Sequence, residues 1–244
     1  MYHFFVEGQV NADQVVITGS DVNHIKNVLR MRPGEEIKIS DGGNMVYLSK
    51  IVALEEEQVI CEVQRKEESY TELPCPIYLF QGLPKSDKME LIIQKAVELG
   101  VSAIIPMSTN RAVVKLDAKK EENKRKRWNS IAESAAKQSG RSRIPKVEPA
   151  VSFKEAAERM QTLTHRFIPY ELCEGMEETR RLLGMIRPGD SIGIMIGPEG
   201  GFEKEEISLA LKHDILPITL GGRILRTETA GMSLLSILMF LLDS

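Results

Sequence analysis

Two glycine-rich stretches of the sequence have the residue types that bring a protein backbone close to a ligand. The first is Ile-Gly-Pro-Glu-Gly-Gly-Phe at residues 196–202, and the second is Leu-Gly-Gly-Arg-Ile-Leu-Arg-Thr-Glu-Thr-Ala at residues 220–230. Because glycine has no side chain, a flat or charged ligand can approach the main chain there, and Pro198 stiffens the first stretch. The pattern favours loops that a ligand can approach closely.

Each stretch follows a predicted strand. Residues 191–196 and 215–220 are short apolar runs, typical of strands covered on both faces. Glu203, Glu205 and Glu206 come early in a helical pattern, where acids oppose the positive end of the helix dipole. One glycine loop after a strand is usually only a turn, but two such loops predict a ligand cleft at the carboxyl edge of a sheet.

The chain before residue 73 is rich in short β-forming runs. Asp41-Gly-Gly-Asn44 is a strong hairpin signal, and one helix is predicted over residues 22–31. This pattern predicts a small β-barrel with one covering helix. The predicted strands are residues 3–10, 14–18, 36–40, 45–52 and 58–64.

After Pro74 and Pro76 the periodicity changes, and strands alternate with helices. A helix is predicted from an Asp87 cap to Gly100. This alternation predicts a parallel α/β domain. Its predicted strands are residues 77–83, 101–107, 167–171, 191–196 and 215–220.

Positive charge is concentrated in one segment of the second domain. The whole chain has a net charge of −3, yet residues 111–146 contain twelve Lys or Arg and four Asp or Glu. A helix is predicted over residues 119–139, and its consecutive bases at 124–127 spread around the helix, which a solvated face also explains. Basic residues continue at 137–143, so binding to RNA phosphates is the other interpretation.

Several kinds of site lack their sequence signature. The glycine-rich stretches contain no Gly-Lys-Ser/Thr, and no Gly-x-Gly-x-x-Gly stands at an N-terminal first strand. The four histidines are scattered without ligand spacing, so we predict no metal. The three cysteines show no paired spacing, and the apolar run at 232–242 is shorter than the roughly 20 residues of a membrane span. We therefore expect a cytoplasmic protein with no membrane partner.

The two glycine-rich stretches also carry a resemblance to a known family. Gly-Pro-Glu-Gly-Gly-Phe followed by Leu-Gly-x-Arg-Ile-Leu-Arg-x-Glu-Thr-Ala resembles the C-terminal signature of the RsmE family, ribosomal RNA methyltransferases of the SPOUT superfamily. The motifs are long and stand in the same order, so the match is specific. It extends over nearly the whole chain, through His24-x-x-x-Val-Leu-Arg30 and Lys85-Ser-Asp-Lys-Met-Glu90 to Glu98-Leu-Gly100.

The resemblance implies an α/β fold in two domains and S-adenosyl-L-methionine as the cofactor. Residues 1–72 would form a small PUA-like β-barrel domain that binds RNA. Residues 73–244 would form a SPOUT-type methyltransferase domain with a C-terminal trefoil knot. The cofactor-binding positions that it implies in this sequence are Tyr170, Glu171, Gly197, Glu199, Gly200, Gly201, Leu220, Gly221, Arg223, Ile224 and Leu225.

The reaction that the resemblance implies is methyl transfer to N3 of a uridine in 16S (small-subunit) ribosomal RNA. Because the uracil imide loses its proton, negative charge builds on the adjacent oxygens, and a nearby arginine would stabilise it. Arg226 is the catalytic candidate, with Glu228 positioning it. The alternative is that Glu228 caps the last helix and Arg226 only pairs with it. No general base is evident.

Binding of RNA is expected in both domains. The first domain has thirteen acids against seven bases, so its RNA contacts would be local. We expect ribosomal RNA, within the small ribosomal subunit, as the partner, and a homodimer as the assembly. Another RNA substrate such as transfer RNA, and a non-catalytic ribosome-assembly factor, are the alternatives. The candidate RNA-binding residues are His24, Arg30, Arg32, Arg111, Lys124, Arg125, Arg127 and Arg141.

Overall fold

The computed structural model describes residues 1–6, 10, 13–85, 87–112, 117–173 and 175–243. The chain forms two compact units. The first comprises Met1–Glu72 with Ala136–Ile144, and the second comprises Leu73–Ala135 with Pro145–Ser244. Residues 136–144, which the sequence placed in the second domain, therefore count with the first unit. The functions assigned to the two domains stay predictions.

The first unit is built on a five-stranded sheet with the strand order β1-β3-β4-β5-β2. β1 and β3 are parallel, and the other neighbours are antiparallel. Among the described residues β1 and β2 lie at the two ends of the sheet without pairing with each other, so the sheet is a half-barrel rather than a closed small barrel. The strands are β1 (Tyr2–Phe5), β2 (Gln14–Thr18), β3 (Glu36–Ser40), β4 (Met45–Leu54) and β5 (Gln58–Glu68).

The expected hairpin and helix of this unit have different outcomes. The turn at residues 41–44 joins antiparallel β3 and β4, which confirms the hairpin. The helical segment predicted over residues 22–31 is present with other bounds, since a short α1 (Ser20–Asn23) continues directly into a π-helix (His24–Val28). Arg30 ends the helical path with a φ of 54°. The strand predicted over residues 3–10 falls partly on residues 7–9, which lie outside the described residues.

The second unit is built on a seven-stranded sheet in which all the recorded strand pairs are parallel. The strand order is β12-β10-β11-β6-β7-β8, and β9 also pairs with β7. The parallel α/β domain expected from the alternating pattern is confirmed. The strands are β6 (Ile77–Gly82), β7 (Ala103–Ser108), β8 (Lys146–Val147), β9 (Val151–Ser152), β10 (His165–Pro169), β11 (Ile192–Ile196) and β12 (Leu216–Ile218).

Helices fill the connections between these strands. Ile77, Leu79, Ile192, Ile194 and Ile196 are buried, as parallel strands covered on both faces require. Since β10, β11 and β12 are neighbours, the loops that follow them meet at one edge of the sheet. The helices are α2 (Lys88–Glu98), α3 (Ala118–Ser139), α4 (Phe153–Met160), α5 (Met176–Leu183), α6 (Lys204–Lys212) and α7 (Thr227–Leu242).

Candidate active site

A cavity of about 330 Å³ opens at the carboxyl ends of β10, β11 and β12. Its walls come from the residues after β10, from the first glycine loop (residues 197–202), from the second glycine loop (residues 220–226) and from the start of α7. A pocket of this size can hold a small-molecule ligand. Its lining residues are Pro169, Tyr170, Glu171, Ile196, Gly197, Pro198, Glu199, Gly200, Gly201, Phe202, Thr219, Leu220, Gly221, Arg223, Ile224, Leu225, Arg226, Thr227 and Ala230.

Backbone conformation shapes both glycine loops. Gly201 has a φ of 67° and Gly221 a φ of 106°, a region that side chains with a Cβ rarely adopt. A close approach also fixes the base of the first loop, because a Cβ on Gly82 would lie 2.7 Å from the backbone nitrogen of Pro198. Glycine at these positions therefore lets the loops turn and pack tightly at the end of the sheet.

A chain of hydrogen bonds ties three elements together at the pocket. Nε2 of Gln81, at the end of β6, donates to Oγ1 of Thr227 at 2.9 Å. The Thr227 hydroxyl donates to the backbone oxygen of Gly197 at 2.6 Å. Gln81 is fully buried. This chain joins β6, the first glycine loop and the start of α7, and only its Gly197 end is partly exposed.

All eleven residues predicted to bind the cofactor line this cavity. The structure thus brings them together from three separate strand ends, while their roles stay predictions. Sequence reasoning missed further lining residues, although Pro198, Phe202 and Thr227, like Ile196 and Ala230, stand inside the two stretches and could have been included on position alone. The others that it missed are Pro169, Ile196, Thr219 and Ala230.

The two candidate catalytic residues have different surroundings. Arg226 is exposed, lines the cavity and stands at the N-cap of α7. Its guanidinium makes no hydrogen bond or ion pair within the described part of the chain. Glu228 lies in the first turn of α7 and forms an ion pair with Lys88, with Oε2 3.4 Å from Nζ. Neither an Arg226–Glu228 pair nor a Glu228 cap is present among the described residues.

Lys88 also contacts the first glycine loop. Its Nζ lies 3.1 Å from Oε1 of Glu199, a bond that raises the pKa of Lys88 together with the charge of Glu228. Burial raises the pKa of Glu199, but the Glu199 backbone N–H, the Lys88 ammonium and the Lys85 N–H outweigh it and leave that pKa below its usual value. The pocket rim therefore carries a charged cluster at neutral pH, and sequence reasoning assigned Lys88 no role in it.

The candidate RNA-binding residues of the first unit are all exposed. His24 lies in the π-helix, with its ring centroid 6.4 Å from that of Phe4. Arg30 and Arg32 follow within a few residues, and the Arg32 backbone N–H donates to Glu35. The three side chains thus belong to one short surface segment, as local RNA contacts would need.

The basic residues of the second unit are exposed to different degrees. The Arg111 guanidinium donates to the backbone oxygen of Gly200 at 2.9 Å, so this arginine packs against the first glycine loop. The Lys124 ammonium lies 5.8 Å from the centre of the Trp128 ring. Arg127 pairs with Glu90 at 2.7 Å, a bond that raises the pKa of the arginine. Arg125 is half-buried.

Arg141 requires a correction. The sequence placed it with the exposed bases, but it belongs to the first unit, where it is only 4% exposed and its guanidinium pairs with Glu72. The same carboxylate accepts from the Ser142 backbone N–H. A buried arginine in such a pair offers no surface to a phosphate, and removing its partner would leave an uncompensated buried charge.

The described ranges contain neither a cluster of metal-ligating side chains nor a membrane-spanning helix. No group of three or more His, Cys, Asp or Glu side chains there could hold a metal ion. None of the helices in those ranges combines the length and apolar character that a membrane crossing requires.

Comparison with known proteins identifies the family. The sequence model of the RNA methyltransferase domain matches residues 71–239, and that of the RNA methyltransferase PUA domain matches residues 17–64. Ribosomal RNA small subunit methyltransferase E of Bacillus subtilis (strain 168) is 39% identical over 223 residues, which are 90% of this chain and 87% of that protein. The chain belongs to the ribosomal RNA small subunit methyltransferase E family. This membership confirms the resemblance predicted from the two glycine-rich stretches.

Other family members match over nearly their full length. The enzyme of Mesomycoplasma hyopneumoniae (strain 232) is 35% identical over 97% of this chain and 98% of its own. The crystal structure of a Neisseria gonorrhoeae member bound to S-adenosyl methionine has a TM-score of 0.86 and 33% identity, covering 99% of this chain and 98% of that one. The fold class is therefore confirmed as a PUA-like half-barrel sheet with a parallel SPOUT-like α/β domain.

Proposed function

We propose that this protein transfers a methyl group from S-adenosyl-L-methionine to N3 of a uridine in 16S ribosomal RNA. The observation that carries the proposal is the cavity at the ends of β10, β11 and β12, which both glycine loops line in a member of this methyltransferase family. Relatives named for methylation of small-subunit ribosomal RNA support the choice of substrate.

The residues of the cavity fit the cofactor. Its walls combine exposed main chain at the glycine loops with apolar side chains such as Ile196 and Leu225, which suit a flat adenine ring. Glu171 provides negative charge for an ammonium or a sulfonium group, and Arg223 provides positive charge for a carboxylate. When bound, the cofactor supplies an activated methyl group on a positively charged sulfur.

The protein's part in this reaction is to align the uracil and to stabilise charge. The uracil N3 would lose its proton to solvent, so negative charge develops on the flanking oxygens before transfer. N3 would then form the new bond to the methyl carbon as the bond from that carbon to sulfur breaks, with its electron pair left on the sulfur. Arg226 lines the cavity with its guanidinium unpaired in the described residues, and its role is to stabilise that charge. Glu228, paired with Lys88, serves to hold the first turn of α7 that bears Arg226.

Binding of the RNA relies on basic residues in both units that are exposed or, for Arg125, half-buried. His24, Arg30 and Arg32 would contact it from the first unit, and Arg111, Lys124, Arg125 and Arg127 would contact phosphates from the second. The partner is ribosomal RNA within the small ribosomal subunit, in the cytoplasm. The PUA-like domain of residues 1–72 takes part in RNA binding, and residues 73–244 carry the chemistry.

The proposed assembly is a homodimer with a trefoil knot at the C-terminal cofactor site of each chain. Exposed apolar side chains of α7 support the homodimer: Phe240 is 82% exposed and Leu241 51%. A stripe of this kind on a terminal helix is typical of a protein interface. Membership of the family supports the knot.

The test is transfer of labelled methyl from S-adenosyl-L-methionine to small ribosomal subunits from cells that lack the enzyme, with naked ribosomal RNA and transfer RNA in parallel. We expect N3-methyluridine after digestion and nucleoside analysis. At saturating cofactor and RNA, Arg226→Ala should lower the rate by about a hundred-fold, the typical loss of one charge-stabilising donor. Arg181→Ala, which removes an exposed arginine paired with Glu178 on α5, is the matched control and should leave the rate unchanged.

The outcomes separate the alternatives. Label on transfer RNA alone would make transfer RNA, and not ribosomal RNA, the substrate. Cofactor binding without label on any RNA would favour a non-catalytic ribosome-assembly factor. An Arg226→Ala rate within a few-fold of the wild type would remove Arg226 from the catalytic residues.

A further inference from the structure

Lys88, in the first turn of α2, holds two carboxylates that come from different parts of the second unit. Its Nζ lies 3.1 Å from Oε1 of Glu199 in the first glycine loop and 3.4 Å from Oε2 of Glu228 in the first turn of α7. The side chains of Lys88, Glu199 and Glu228 are 30%, 28% and 15% exposed, so solvent screens their charges only in part. One ammonium group therefore neutralises two carboxylates.

The two carboxylates are not held equally. Glu199 also accepts from the Lys85 backbone N–H, at 3.2 and 3.3 Å from its two oxygens. The Oε2 atom of Glu228 is buried and has no hydrogen-bond partner among the described residues, because its contact with Lys88 lacks the angles of a hydrogen bond. The Lys88 charge is thus the main compensation for the buried oxygen of Glu228, besides the positive end of the α7 dipole.

Loss of this ammonium would act on the pocket itself. Glu199 and Glu228 would become two neighbouring like charges in a partly buried place, and their repulsion would push the first glycine loop away from the start of α7. Both of these segments line the cavity, the first through Glu199 and the second through Arg226 and Thr227. A wider gap between these two segments would lower the affinity of the pocket for its ligand.

We propose that Lys88 is a positioning residue that keeps the cofactor pocket closed by neutralising Glu199 and Glu228 together, an inference that rests on the proposed function. Lys88 does not line the cavity, so it acts through the two carboxylates and not by touching the ligand. It is distinct in this respect from Arg226, which lines the cavity.

The test is calorimetric binding of S-adenosyl-L-methionine to the full chain, which needs neither RNA nor turnover. We expect Lys88→Met to weaken binding by about ten-fold, because the two carboxylates then repel each other. Addition of Glu228→Gln should restore the affinity to within about three-fold of the wild type, because it removes one of the two like charges. In the methyl-transfer assay Lys88→Met should raise KM for the cofactor.

Lys95→Met is the matched control, since Lys95 lies on the same helix and pairs with Glu98 at 2.8 Å. It should leave the affinity unchanged. No binding by the wild type would end the proposed function. A wild type that binds, together with an equally tight Lys88→Met or a loss that Glu228→Gln does not restore, would overturn this inference alone.

A conservative variant covers the case in which Lys88→Met fails to fold. Lys88→Arg keeps the positive charge between the two carboxylates, so its affinity should stay within about three-fold of the wild type. A loss of about ten-fold in a folded Lys88→Arg would also overturn the inference, because charge would then not be what the site needs.

Discussion

His3 shows how a single buried side chain makes the first unit sensitive to pH. The residue is 8% exposed, its Nε2 lies 2.8 Å from Oγ of Ser40, and its Nδ1 has no hydrogen-bond partner in the described ranges. Burial, with the positive charges of Lys38 and Lys137, lowers the pKa of His3 from 6.5 to about 4. The folded chain therefore keeps this ring neutral in mildly acidic solution.

The prediction for His3 concerns the pH range from 6.5 down to about 4. There the unfolded chain binds a proton that the folded chain does not, so the free energy of unfolding decreases by about 1.4 kcal/mol for each unit that the pH falls. Below that range both states are protonated and the loss stops growing. The free energy of unfolding, measured by urea denaturation and by hydrogen exchange of β1 and β3, should depend less steeply on pH in His3→Gln than in the wild type. A ring whose NMR titration midpoint lies above pH 6 would contradict the prediction.

At the scale of elements, α3 is an amphipathic helix with one buried face and one charged, exposed face. The sequence predicted this helix over residues 119–139, and the structure has it at Ala118–Ser139. Trp128 and Ala132 are buried, while Lys124, Lys126 and Arg127 are exposed. The contacts of the exposed bases with Trp128, Glu122 and Glu90 are those of a solvated helix face, so RNA binding by this helix stays a prediction.

Charge reversal on α3 tests that prediction. Arg125→Glu with Arg127→Glu should weaken RNA binding and reduce the slope of log K against log salt by up to about 2, because two phosphate contacts are lost. Cofactor affinity should stay the same. Lys154→Glu with Lys212→Glu is the control, since it makes the same change of charge at exposed positions of α4 and α6. An unchanged salt slope in the α3 variant would mean that the basic face of this helix is solvated and does not bind RNA.

At the scale of the whole molecule, the apolar stripe on α7 is the feature left without a described partner. Leu234, Leu235 and Leu238 are buried, whereas Ile237 and Phe240 are 38% and 82% exposed. A helix that is apolar on both its inner and outer sides is usually covered on both. The outer side therefore fits the proposed homodimer.

Substitutions on that outer side should separate the two chains. Ile237→Glu with Phe240→Glu places charges where an apolar contact is expected, so light scattering after size exclusion should show a monomer. Leu211→Glu, at a 51% exposed leucine of α6, should leave the mass unchanged. A wild type that is already monomeric would end the homodimer proposal, and a dimeric double variant would move the interface elsewhere.

The sequence by itself determined the features that depend on neighbours along the chain. Apolar runs at 191–196 and 215–220 predicted β11 (Ile192–Ile196) and β12 (Leu216–Ile218), and the glycine loops after them predicted a ligand cleft. These signals are local, because strand formation and loop flexibility follow from residue types within a few positions. The family followed from the same two motifs.

Only the tertiary structure decided which distant side chains meet. It buried Arg141 against Glu72, placed Arg111 on the backbone of Gly200 and set Lys88 between two carboxylates. It also brought residues 136–144 into the first unit and gave the expected helical segment at 22–31 the form of a short α1 followed by a π-helix that ends before Arg30. Such pairings join residues that are tens of positions apart, and their energies depend on burial and distance in three dimensions, which a linear pattern of residue types does not contain.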